Sequence, residues 1–168
     1  MRAGRALPPA SPAAGIAVSL AGLGFVALGL WARRDVKLTL AQERIVSTLD
    51  AEHPAAPVTN AARARSMAEV IRRNTIEATR GRTYAEVDPY VDAEGTPTAD
   101  AALAATDAAT GQPLENPDHA LWIQSTALRT GLIQAYMAFR IAELTIAVGA
   151  SFFAVGVGLV GLRRASGR

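Results

Sequence analysis

Cysteine is absent from these 168 residues, which excludes structural disulfides, thiolate metal sites and thiol nucleophiles. Histidine is nearly absent: only His53 and His119 are present, far apart in the chain. The one local cluster of possible ligands, Glu115, Asp118 and His119, follows no metal-ligand spacing. No G-x-S-x-G, no P-loop and no strand-linked G-x-G-x-x-G occurs, so acyl transfer and nucleotide binding have no carrier. The expectation is a non-catalytic chain without metal or cofactor. Aromatic residues are few (4 Phe, 2 Trp, 3 Tyr), whereas Ala and 14 Gly dominate the apolar count. Such a composition specifies a water-soluble core poorly but suits close-packed membrane helices. Acidic residues are missing from both ends: Arg2, Arg5, Arg163, Arg164 and Arg168 stand without a counter-charge, and fourteen of the 15 acids lie between Asp35 and Asp118.

What is present is two long apolar runs. Residues 13–32, AAGIAVSLAGLGFVALGLWA, carry no charge and, at about 1.5 Å per residue, span a hydrocarbon layer of roughly 30 Å. The run is longer than the apolar stretch of a signal peptide, and no small-x-small cleavage site follows it. Residues 144–162, LTIAVGASFFAVGVGLVGL, form the second run, closed by Arg163 and Arg164 in a stop-transfer pattern. The fold class expected is therefore all-α: a two-span transmembrane hairpin whose long helices protrude into a small extracytoplasmic helical domain, residues 33–143. The tails, 1–12 and 163–168, are expected in the cytoplasm of a cell with this chain in its plasma membrane, because positive residues favour that side. Small residues recur at four-residue spacing, at Gly15 and Ser19, Ala17 and Ala21, and Ala150, Ala154 and Gly158, and mark faces for helix packing or for a partner. Trp31, Tyr136 and Phe139 are expected near one membrane interface.

Between the spans, the first helix is expected to continue to about Asp50, until Pro54 and Pro57 break it. Asn60 can cap a second helix with an apolar stripe of Met67, Val70, Ile71 and Ala78, ended by Gly81. Thr83-Tyr84-Ala85-Glu86 has the capping-box pattern. Residues 92–117 are expected to form a loosely held loop with at most one weak helix near residues 99–108. From Pro117 to Arg164 no proline occurs, which predicts one helix of about 45 residues with Leu121, Leu128, Leu132 and Ile133 on its apolar face.

Two charged features invite function. Arg63, Arg65, Arg72, Arg73, Arg80 and Arg82 make a basic stretch that a solvated face explains best, and that could otherwise meet lipid headgroups or an acidic protein. Nucleic acid is not expected, because no aromatic residues are interleaved for base stacking. Glu143 is the one acid near the membrane interior, and with Arg140 three residues earlier an interfacial ion pair is expected.

The segments Ala68-Glu69-Val70-Ile71, Thr79-Arg80-Gly81-Arg82-Thr83-Tyr84-Ala85-Glu86-Val87-Asp88 and Ser125-Thr126-Ala127-Leu128-Arg129-Thr130-Gly131-Leu132 resemble those of a family of small actinobacterial two-span membrane proteins. Many of these carry the label "aromatic ring-opening dioxygenase". That label implies a non-haem iron site of two histidines and an acid, a constellation this sequence does not offer. The architecture is also similar to accessory subunits around actinobacterial respiratory oxidase supercomplexes. The expected role is accordingly an accessory or assembly subunit of a larger membrane complex, with membrane protein subunits and lipids as partners. Its docking surfaces are expected at Ala150, Ala154 and Gly158 and at Trp122, Ser125 and Arg129. The alternatives are a membrane-bound enzyme or cofactor-binding protein using Glu143 and His119, and a free-standing envelope or lipid-binding module.

Overall fold

The computed structural model describes residues 12–45 and 56–166; Arg2, Arg5, Arg168, Asp50 and His53 lie outside the described residues. The chain is predominantly helical, with α1 (Pro12–Gln42), α2 (Ala61–Ala78) and α3 (Pro117–Ser166). A single 3-10 turn (Tyr84–Glu86) and a pair of two-residue antiparallel strands, β1 (Tyr90–Val91) and β2 (Pro97–Thr98), join α2 to α3. Two compact units form, one from residues 1–40 with 137–168, the other from residues 41–136.

The first unit is a pair of helix segments held together by glycine. A side-chain carbon placed on Gly22 would stand 2.5 Å from the Phe153 amide nitrogen and 2.6 Å from the Gly149 carbonyl. At Gly29 it would stand 2.8 Å from the Ala142 carbonyl, and at Gly15 it would stand 3.0 Å from the Gly156 carbonyl. The matched pairs, Gly15 with Gly156, Gly22 with Gly149 and Gly29 with Ala142, advance by seven residues on α1 as they retreat by seven on α3. The register is therefore antiparallel, and a seven-residue repeat is the one that keeps a seam facing its partner as two helices wind left-handedly. Gly15 and Ser19 lie on this seam, the latter against Gly156, but Ala17, Ala21, Ala150, Ala154 and Gly158 are exposed, and a side-chain carbon at Gly158 would touch nothing. Residues one or two positions from a seam glycine point away from it on a 3.6-residue helix, so these five lie off the seam between α1 and α3. Phe139 is fully buried.

The expected continuation of α1 toward Asp50 is also corrected. The helix stops at Gln42, because Arg44 adopts φ +50° and the Ile45 carbonyl turns to accept the Val58 amide at 3.3 Å.

In the second unit α2 starts where Asn60 accepts the Arg63 amide at 2.9 Å. It ends through left-handed Arg80 and Gly81, with the Gly81 amide bonded back to the Ile76 carbonyl at 2.8 Å. Its buried face holds Met67 and Val70 as expected, together with the small residues Ala61, Ala64, Ala68 and Thr75 and, just past its end, Thr79; Ile71 is half-buried and Ala78 exposed. The buried hydroxyls are satisfied locally, Thr75 by the Ile71 carbonyl at 2.8 Å and Thr79 by the Arg82 carbonyl at 2.7 Å. On α3 the inward residues are Trp122, Ser125, Leu132 and Ala135; Leu128 and Ile133 face outward. The helical phase that buries Trp122 excludes them.

Residues 92–116 are neither loose nor helical. Asp92 accepts the Glu94 and Thr96 amides, Asp100 the Ala102 amide, and Asp107 the Ala109 and Thr110 amides together with the Thr110 hydroxyl. These side chains capture backbone donors that an alanine-rich helix would need, so the stretch near residues 99–108 folds as turns. The Ala105 amide bonds to the Val91 carbonyl and the Leu114 amide to the Ala105 carbonyl, tying the loop to β1.

Candidate functional site

The turn after α2 and the start of α3 come together in the second unit. Asn116 starts α3 by accepting the Asp118 amide at 3.0 Å, and its own amide group donates to the Asp88 carbonyl at 2.8 Å. Arg82 pairs with Asp118. Tyr84 lays its ring over His119, centroids 4.9 Å apart and planes tilted by 30°. These contacts fix the turn after α2 against the first two turns of α3 and open a groove of about 610 Å³ between them.

The groove is lined by Tyr84, Trp122, Ile123, Thr126, Ala127 and Thr130, and its walls are mainly apolar. Tyr84 is 51% exposed and Ile123 47% exposed, so two large side chains of the wall are open to their surroundings. Trp122 forms the floor: it is buried, and its indole N–H has no hydrogen-bond partner. His119 Nδ1 is likewise buried without a hydrogen bond, 3.9 Å from the Glu115 carboxylate.

Trp122 and Ser125 were expected on a docking surface; both are buried, Ser125 donating to the Trp122 carbonyl at 3.1 Å. The residues between and beside them, Ile123, Thr126, Ala127 and Thr130, are the ones presented outward. Sequence spacing contained this signal, since positions 123, 126, 127 and 130 share one helical face. Arg129 is half-buried with its Nε unpaired.

Around the turn, the Glu86 carboxylate accepts both the Thr83 amide and the Thr83 hydroxyl at 2.7 Å. These two bonds, the amide first, hold its carboxyl below the usual carboxylate range. Asp107 is held low in the same way, by the Thr110 amide, then its hydroxyl, then the Ala109 amide.

Much of the basic stretch is engaged within its own unit. Arg63 donates to the Pro57 carbonyl at 3.1 Å, the Arg65 guanidinium sits 5.7 Å above the Tyr136 ring, and Arg82 holds Asp118. In the first unit Arg140 donates to the Glu143 carboxylate at 2.8 Å across one helical turn. Glu143 and His119 thus belong to different units, each with a neighbour of its own. Among the described residues no three His, Asp or Glu side chains gather as metal ligands would.

Comparisons with protein-family models, with curated proteins and with solved structures find no match for this chain.

Proposed function

We propose that the chain is a two-span membrane subunit without catalytic chemistry of its own, which docks onto a larger membrane complex. Both termini lie in the cytoplasm and residues 41–136 face the outside of the cell membrane. The observation that carries the membrane part is the inverted packing of the helix pair. Glycines fill its seam, while Ile16, Leu20, Leu23, Leu28, Leu144, Val155 and Leu162 are each at least half exposed. Only 17% of the most apolar stretch of α1, and 11% of that of α3, is buried. A water-soluble helix pair puts its large apolar side chains inside; one bathed in lipid has no reason to, and gains from close backbone approach. The matched register of α1 with α3 also gives α1 a structural role, which favours a retained span over a cleaved leader.

The docking part rests on the groove around Trp122. An apolar wall of this size, held open by an ion pair, a ring stack and a helix cap, fits an apolar side chain or helix from a partner subunit. A respiratory oxidase assembly is the partner to which the resemblance leads. The test is mild-detergent extraction of a tagged copy with mass spectrometry of the proteins that accompany it. Thr126→Trp, which fills the groove without touching the helix pair, should remove the partner while the subunit still reaches the membrane. A tagged chain that migrates alone in the gentlest detergent would overturn the docking reading.

A further inference from the structure

The helix pair carries a second recess, on the flank where its apolar stretch meets its first charges. Leu28, Ala32, Val36, Ala138, Ile141 and Thr145 line a cleft of about 350 Å³ between α1 and α3. A second hollow of about 280 Å³, formed by Trp31, Arg34, Asp35 and Leu38, adjoins it through Trp31 and Asp35, which line both. The two make one path that is apolar at its Leu28 end and holds a cation beside an anion at its Arg34 end. Arg34 and Asp35 are exposed, and neither side chain has a hydrogen bond or ion pair among the described residues. Adjacent in sequence, they project about 100° apart on the helix and do not neutralise each other.

Resting on the two-span reading above, the geometry points to a binding site for one zwitterionic aminophospholipid, of the phosphatidylethanolamine class. One acyl chain lies in the cleft between α1 and α3, and the headgroup occupies the hollow beside Trp31. The phosphate accepts from the Arg34 guanidinium, and the primary ammonium donates to the Asp35 carboxylate. Charge complementarity selects this class. A phosphatidylglycerol would meet Arg34 but leave Asp35 facing an anion, and a phosphatidylcholine has no N–H to give the carboxylate. Trp31, 65% exposed with an apolar ring and a polar N–H, is the side chain expected at headgroup depth.

The full chain, purified in mild detergent, is equilibrated with equal amounts of phosphatidylethanolamine, phosphatidylglycerol and phosphatidylcholine of identical acyl chains, and the retained lipid is measured by mass spectrometry. Phosphatidylethanolamine should be enriched over both. Arg34→Gln and Asp35→Asn should each lower that enrichment roughly threefold to tenfold, the scale of one partly exposed charge-assisted contact. Arg72→Gln, a cation change on α2, should leave it unchanged. Equal retention of the three lipids, enrichment of phosphatidylglycerol, or an enrichment indifferent to both substitutions would overturn the site. Flotation of the same protein with vesicles separates the two levels of inference. Protein that floats without headgroup preference leaves the membrane reading standing and removes the lipid site, whereas protein that stays soluble removes both.

Discussion

The two units solve opposite packing problems with the same small residues. In residues 41–136 alanines are buried so that Met67, Val70, Trp122 and Leu132 can come inside with them, and charged side chains remain outside. In the helix pair Gly15, Gly22, Gly29, Gly149 and Gly156 are inside and most of the large apolar residues are outside. Water explains the first arrangement, because apolar area removed from it contributes about 25 cal/mol per Å². On the two-span proposal that drive is absent around the helix pair, and contact between backbones across Gly22 and Gly149 takes its place. Small residues alone therefore do not reveal the solvent; which side the large ones take does.

The contrast is broken most severely at the seam. Gly22→Leu forces a side chain into the Phe153 and Gly149 backbone, which cannot yield as a flexible side chain would. Overpacking of this kind costs about 1–3 kcal/mol or more, so thermal unfolding in detergent should move down by several degrees. Gly158→Leu meets open space and should leave that transition in place. Equal effects of the two would mean that the register is wrong.

A smaller loss is expected from Asn116→Ala. It removes the cap of α3, a change typically costing about 0.5–2 kcal/mol, and strands the Asp88 carbonyl. Hydrogen exchange should speed up at Asp118 and through residues 88–92, with the seam unaffected. Exchange that is uniform across both units would contradict this localisation.

Smallest is the effect of acid on the connecting segments. Glu86 and Asp107 have folded-state values below their ordinary 4.5 and 3.8. Their contribution is therefore complete above those ordinary values and is lost as pH falls through the lower folded ones. Limited proteolysis by an acid-active protease should find residues 83–87 and 107–110 more readily cut at pH 3 than at pH 5. Asp107→Ala should make the second site cleavable already at pH 5.

Much of this fold is legible in the sequence. The uncharged runs, the unbroken stretch after Pro117, the Asn60 cap and the Thr83–Glu86 box each depend on neighbours a few residues away. The seam was hidden for a different reason. Glycine and alanine are so frequent here that a four-residue spacing can be found at many positions, whereas the pairing of Gly15, Gly22 and Gly29 with Gly156, Gly149 and Ala142 appears only when both helices are read together, in opposite directions. In the loop, the weak helix that the sequence allows near residues 99–108 does not form, because Asp100 and Asp107 bind nearby amides instead. At the candidate site, the tryptophan that stands out in the sequence is the floor, and the inconspicuous Thr126, Ala127 and Thr130 are the wall.

Because the chain has no cysteine, a single one can be placed at will, and its reaction with a membrane-impermeant maleimide in intact cells tests the proposed spanning of the helix pair most directly. Leu23→Cys and Val155→Cys occupy positions that are exposed in the fold and belong to the apolar stretches; Thr106→Cys lies in the central loop. Labelling is expected at position 106 and at neither 23 nor 155, although all three become reactive once the protein is unfolded in detergent. Rapid labelling of positions 23 and 155 in the native protein would place them in water and contradict the membrane-spanning pair.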